Sequence, residues 1–196
     1  MESIQKWIFS AVALGFIFLF IIVERKLRKG KDAIDMTTSQ EDRSSTLFIG
    51  LAFGVSMLLI VASVPMNLLG YMYLNFFWAG YVGIVGMASG LAMRIAAAKT
   101  LGRFYTRTLK ITESHELVNV GLYRYIRHPG YLADILLFVS AALASKNMLC
   151  LILIIAMIVP AYIYRISVEE KMMANKFSEA YTRYRKSTYR LIPGIY

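Results

Sequence analysis

The chain has 196 residues, of which 58% are hydrophobic and only 17% charged, with a formal net charge of +10. A soluble domain of this size carries more charge, so the composition points to a polytopic membrane protein. One cysteine, Cys150, and two histidines, His115 and His128, exclude a disulfide framework, a cysteine-based zinc site and a histidine-rich metal centre.

Trp7–Val23 is an uncharged, mostly apolar run of a length that crosses a bilayer as a helix. No small-residue cleavage site follows it, so it reads as a retained span rather than a signal peptide. It stops at the basic cluster Glu24–Lys31, and the polar stretch beyond reads as a loop. Leu47–Leu69 is the second span, with Pro65 near its far end and Asn67 and Gly70 as turn residues after it. Tyr71–Ala98 is the third. Its Gly86 and Gly90 form a GxxxG pair, and small residues at that spacing let helix backbones approach closely in lipid. No strand precedes these glycines, so packing is a better reading than a nucleotide loop. The pair could join two subunits or pack one bundle; a monomer with five helices has internal interfaces to fill, and a monomer is the expectation.

A polar segment, Lys99–Arg127, leads to two shorter apolar runs, Tyr131–Ala144 and Met148–Tyr164, the second containing Pro160. Ser145, Lys146 and Asn147 separate them as a tight turn, which makes an antiparallel hairpin. The first run barely crosses the hydrocarbon as a straight helix, so the hairpin is expected to start below the membrane surface or to insert only in part. The expected architecture is all-α with five spans. Residues 1–98 form an N-terminal bundle of three. Residues 99–196 form a catalytic region of connector, hairpin (131–164) and C-terminal helix (165–186).

Charge placement orients this plan. Of the 22 Lys and Arg residues, only Lys6 and Lys146 fall on one side of a five-span bundle. That asymmetry places the N-terminus outside and the C-terminus in the cytoplasm. It also explains the net charge without nucleic acid, because the basic surface faces anionic lipid headgroups.

Two stretches carry candidate chemistry. VNVGLYRYIRHPGY (118–131) concentrates Arg124, Arg127, His128 and three tyrosines between apolar runs, as either a structural loop or an active site. His128 taken alone reads rather as a structural histidine capping the next helix. In the tail, Ile166, Met173, Phe177, Tyr181 and Tyr184 recur at helical spacing, so 165–186 is amphipathic. Glu170 falls on its apolar face, with Glu169 close by. A carboxylate there requires a partner, a cofactor or a shifted pKa, and a salt bridge to Arg165 or Arg127 is the structural alternative.

GLYRYIRHPGY (121–131), the hairpin after it, RISVEE (165–170) and FSEAYTRY (177–184) together resemble the isoprenylcysteine carboxyl methyltransferase family, over about residues 110–196. Ala133 and Ser178 stand where that family usually has glycine. The resemblance implies transfer of a methyl group from S-adenosylmethionine, leaving S-adenosylhomocysteine, at the cytoplasmic membrane face. The acceptor it implies is the α-carboxylate of a prenylated C-terminal cysteine, or a similar lipid-linked carboxylate, arriving sideways from the bilayer. It also implies that Leu117, Val118, Val120, Gly121, Tyr123, His128, Pro129, Tyr131, Glu169 and Glu170 hold the cofactor. Aromatic and apolar side chains such as Tyr123, Tyr131 and Leu132 suit an adenine or a lipid tail.

A carboxylate acceptor is already ionised at neutral pH and needs no general base. It needs alignment, and arginine grips carboxylates in a bidentate fork, so Arg127 and Arg165 are candidates for that role. Glu170 is the candidate to bind the cofactor's amino or hydroxyl groups. No metal is expected. Two other readings share the RHPxY motif. Phospholipid N-methyltransferases are of similar size. Sterol reductases of the lamin B receptor type end in patterns echoed by Asp134 and by YRLIPGIY (189–196), and would imply NADPH, but have many more spans.

Overall fold

The computed structural model describes residues 2–27, 42–105 and 117–195. Five helices follow in order: α1 (Glu2–Leu27), α2 (Arg43–Leu68), α3 (Phe77–Leu101), α4 (Pro129–Ala144) and α5 (Met148–Ser187). Short 3-10 turns occupy Gly102–Phe104 and Gly121–Arg124. No strand forms among the described residues, and the all-α expectation holds. Four of the helices (α1 from Ile8, α2, α3 and α5) are long and apolar enough to cross a membrane, and α4 is a shorter apolar helix. The chain is an integral, multi-pass membrane protein.

The brevity of α4 has a physical reason that its length alone does not give. It packs against α1, α2, α3 and α5, and Ala133, Leu137, Phe138, Ala141, Ala142 and Ala144 along it are fully buried. A helix enclosed by protein need not match the hydrocarbon thickness. Its closest neighbour is α3. A Cβ at Gly83 would lie 2.5 Å from the Ala144 nitrogen, and one at Gly90 would lie 2.9 Å from the Ala133 oxygen. The α3 glycines thus pack the bundle from within, letting two backbones touch.

Two boundaries differ from the sequence reading. The third span begins at Phe77 rather than Tyr71, because the preceding backbone pairs with the hairpin turn: Leu74 N–H donates to Lys146 O at 2.8 Å and Met148 N–H to Met72 O at 2.9 Å. That turn is locked by Asn147, whose amide donates to Asn67 Oδ1 and Tyr71 O, each at 2.9 Å. The second difference lies at Tyr164–Arg165, where the helix runs on without interruption. The composition changes there from apolar to amphipathic, but neither glycine nor proline is present to end the helix. From Met148 to the residue before Ser178 it runs for about 45 Å at ~1.5 Å per residue, half as long again as a bilayer's hydrocarbon thickness. The break falls at Ser178, with φ 43° and ψ −110°.

Candidate active site

The C-terminal ends of α1 and α3, the N-terminal ends of α2 and α4, and the middle of α5 meet at one end of the bundle. Three ion clusters are buried there. In the first, Arg94 on α3 donates from Nε to Glu24 Oε1 at 2.8 Å and from Nη2 to Glu24 Oε2 at 3.5 Å. Its Nη1 lies 3.0 Å from Asp134 Oδ2 and donates to Gly130 O at 3.1 Å. Two tyrosines complete it: Tyr105 donates to Glu24, and Tyr162 donates to Asp134 at 2.6 Å. Burial pushes the Tyr105 phenol well above its ordinary pKa, so it stays a neutral donor.

The second cluster binds α5 to α2. Arg165 Nη1 pairs with Asp42 and donates to Ser45 Oγ at 2.9 Å and Thr46 Oγ1 at 2.8 Å. Its Nε reaches the Tyr131 hydroxyl at 3.4 Å. The third is centred on Glu170. Arg127 Nε donates to Glu170 Oε1 at 2.8 Å and Arg190 Nε to Oε2 at 2.9 Å, while His128 Nε2 lies 3.4 Å away. Of the two structural partners expected for Glu170, Arg127 is the one it meets, joined by Arg190.

The backbone completes this closure. Arg127 N–H donates to Tyr189 O at 2.8 Å, Tyr189 N–H to Tyr125 O at 2.9 Å, and the Arg127 guanidinium reaches the Thr188 carbonyl. Tyr184 donates its hydroxyl to Tyr123 O at 2.7 Å. The tail therefore folds back over the 118–131 stretch, joining the two chemistry-bearing segments.

Between them is a cavity lined by Arg94, Tyr105, Leu117, Val118, Tyr123, Arg127, His128, Tyr131, Glu169, Tyr181 and Tyr184, among others. Glu169 Oε2 is buried and accepts no hydrogen bond among the described residues; His128 Nδ1 stands 3.6 Å from it. Burial first, and the Glu169 charge second, push the Tyr123 phenol well above its ordinary pKa, leaving it neutral. The His128 ring stacks on Tyr131 at 5.6 Å between centroids and lies between Glu169 and Glu170. His128 takes the N-cap position of α4 with its backbone, but its side chain caps nothing.

Of the residues expected from the sequence, Leu117, Val118, Tyr123, Arg127, His128, Tyr131 and Glu169 line the cavity. Val120, Gly121, Pro129, Leu132, Arg165 and Glu170 do not. Val120 is exposed. Gly121 has φ +58°, and a Cβ there would lie 3.1 Å from Thr100 Oγ1, so its place is explained by backbone shape. Pro129 starts α4.

Arg94 is the charged cavity residue the sequence reading missed as a functional candidate, beside Tyr105, Tyr181 and Tyr184. The signal was available, since a lone arginine within an apolar span marks a functional site by default. Its partners Glu24 and Asp134 could not be assigned from spacing, because they are 70 and 40 positions away.

The cavity combines a carboxylate, two arginines and a histidine with aromatic walls. Glu169 supplies a carboxylate oxygen without a hydrogen bond among the described residues, and five tyrosine side chains wall the space.

Residues 82–175 match the model of the isoprenylcysteine carboxyl methyltransferase family, so the resemblance drawn from RHPGY and the glutamate pair is shown over that stretch. The chain is 28% identical over 123 residues to a probable protein-S-isoprenylcysteine O-methyltransferase of Oryza sativa subsp. indica, covering 62% of this chain and 64% of that protein. It is 30% identical over 118 residues to the protein-S-isoprenylcysteine O-methyltransferase of Dictyostelium discoideum, covering 59% and 50%. The matches thus span less than two thirds of these relatives' lengths. The solved structure of the eukaryotic intramembrane Ras methyltransferase ICMT aligns with the whole chain and 68% of its own, at 20% identity and a TM-score of 0.62, which shows a shared fold.

Proposed function

We propose that this chain is a membrane methyltransferase that uses S-adenosylmethionine to esterify the carboxylate of a prenylated C-terminal cysteine, or a similar lipid-linked carboxylate. One observation carries the reading: Glu169 and Arg94 line the same tyrosine-walled cavity at the end of the bundle. When bound, S-adenosylmethionine supplies an electrophilic sulfonium methyl, so that the S–CH3 bond breaks as the ester O–CH3 bond forms, the sulfur keeps the electron pair and no proton moves. Glu169 offsets the cofactor's positive charge, with His128 beside it. Tyr123, Tyr131, Tyr181 and Tyr184 hold the base and exclude water that would otherwise solvate the acceptor.

The acceptor carboxylate is aligned by a fixed cation. Arg127 is committed to Glu170 and Thr188, and Arg165 to Asp42, Ser45 and Thr46. Arg94 is held in turn by Glu24 and Asp134, and it lines the cavity; we take it as the acceptor-facing cation. Arg127, Arg165 and Glu170 act instead by fastening the segments that carry the walls. In this reading the N-terminus is outside, and the ion-cluster end faces the cytoplasm. Exposed Lys171, Lys176, Arg183, Arg185 and Lys186 meet anionic headgroups. The protein works as a monomer, and residues 99–196 supply most of the site.

Calorimetry with S-adenosylmethionine and with NADPH tests the cofactor, and binding of NADPH alone would sink the proposal. Radiolabelled methyl transfer to prenylcysteine analogues and to phosphatidylethanolamine tests the acceptor; the expected product is the methyl ester, and label on the phospholipid amine overturns it.

A further inference from the structure

We propose that Glu24, on α1 and outside the matched stretch 82–175, is a positioning residue that sets the orientation of Arg94 in the methyl-transfer cavity. The inference rests on the carboxylate-acceptor reading above.

An arginine presents five N–H donors in one plane. Two of Arg94's donor atoms, Nε and Nη2, are taken up by the two oxygens of Glu24, at 2.8 and 3.5 Å. Nη1 goes to Asp134 at 3.0 Å and to the Gly130 carbonyl at 3.1 Å. Arg94 lines the cavity, whereas Glu24 and Asp134 do not, although both are buried. The carboxylates therefore stand behind the guanidinium and hold it along two edges. Tyr105 secures the clamp twice, by its hydrogen bond to Glu24 and by its ring, whose centroid lies 5.1 Å from the guanidinium carbon.

The consequence follows from the side chain's freedom. A free arginine carries about 2 kcal/mol of rotamer entropy, which a pre-formed clamp removes before the acceptor arrives. Without Glu24, the contacts of Nη1 remain while Nε and Nη2 lose theirs, so the group pivots about Nη1. Stability alone does not account for the arrangement. A buried charge cluster is commonly replaceable by apolar side chains with no loss of stability. Glu24 thus extends the site beyond the 99–196 region to the first helix.

The test uses the full chain purified in detergent with S-adenosylhomocysteine present. Affinities for an N-acetyl prenylcysteine acid and for its methyl ester are measured for the wild type, Glu24→Ala, Glu24→Gln and Glu24→Asp. The wild type is expected to prefer the acid, because only the acid pairs with Arg94. Glu24→Ala is expected to cut that preference about tenfold while the affinity for the ester changes less than about twofold, and Glu24→Asp to restore part of it. Parallel weakening of acid and ester, or an unchanged preference, overturns the proposal in favour of a merely structural ion pair. If Glu24→Ala does not fold, Glu24→Gln, which keeps one acceptor oxygen, takes the same readout. A wild type that does not distinguish acid from ester overturns the acceptor reading itself, and the present inference with it.

Discussion

Arg190 Nε lies 2.9 Å from Glu170 Oε2, tying a residue near the end of the chain to the middle of a forty-residue helix. The same carboxylate takes Arg127 from the RHPGY segment, so one side chain fastens three parts of the molecule. Removing a partner from a buried pair leaves the remaining charges without compensation. Glu170→Ala is therefore expected to destabilise the protein by about 3 kcal/mol and Arg190→Ala, whose side chain is a quarter exposed, by clearly less. Thermal denaturation in detergent checks the order; equal melting temperatures for wild type and Glu170→Ala would show that the closure contributes nothing.

Ser178 has φ 43° and ψ −110° inside α5. That backbone conformation suits glycine and strains a residue with a Cβ. Ser178→Gly is expected to stabilise the fold by about 1 kcal/mol, raising the melting temperature by about 2–4 °C for a chain of this size. Ser178→Val should lower it. A glycine variant that melts below the wild type would mean the strain is offset by a contact of the serine side chain.

Gly83 and Gly54 make a matched pair. A Cβ at Gly83 would meet the α4 backbone at 2.5 Å, whereas one at Gly54 would meet nothing within 4 Å. Gly83→Ala is expected to force α3 and α4 apart and cost about 1–3 kcal/mol. Gly54→Ala should be neutral or slightly stabilising through helix propensity. Comparable losses at both positions, read by denaturation midpoint, would contradict the packing described.

Arg165 and Asp42 supply a direct check on a role the sequence left open. If Arg165 acts through Asp42 to hold α2 against α5, a double-mutant cycle of Arg165→Ala and Asp42→Ala should give a coupling energy of about 1–3 kcal/mol in stability. Asp42→Ala alone should then destabilise almost as much as Arg165→Ala. An Arg165 that instead grips the acceptor would show little coupling and a large loss of activity confined to its own variant.

Much of the fold was legible because bilayer physics simplifies it. Uncharged runs of about twenty residues have few alternatives to a spanning helix. The Ser145–Asn147 turn, the small-residue face of α3 and the apolar-face position of Glu170 all followed from spacing. Boundaries were less legible. Tyr71–Phe76 reads as helix until the hairpin turn competes for its backbone. Arg165 reads as a helix start only because composition changes there, and hydrogen bonding does not follow composition.

The sequence by itself determined the order and apolar character of the spans, the polar character of 118–131 and the unusual position of the glutamate pair. Those properties depend on neighbours within a few turns, where periodicity and hydrophobicity act. Only the tertiary structure decided which charges neutralise which. Arg94 meets Glu24 and Asp134, Arg165 meets Asp42, and Arg127 and Arg190 share Glu170. Each pairing joins positions 20 or more residues apart, and in a buried setting a charge must take the partner that packing brings to it. That selection, which no local spacing encodes, brings Arg94, Arg127, His128 and Glu169 to one cavity.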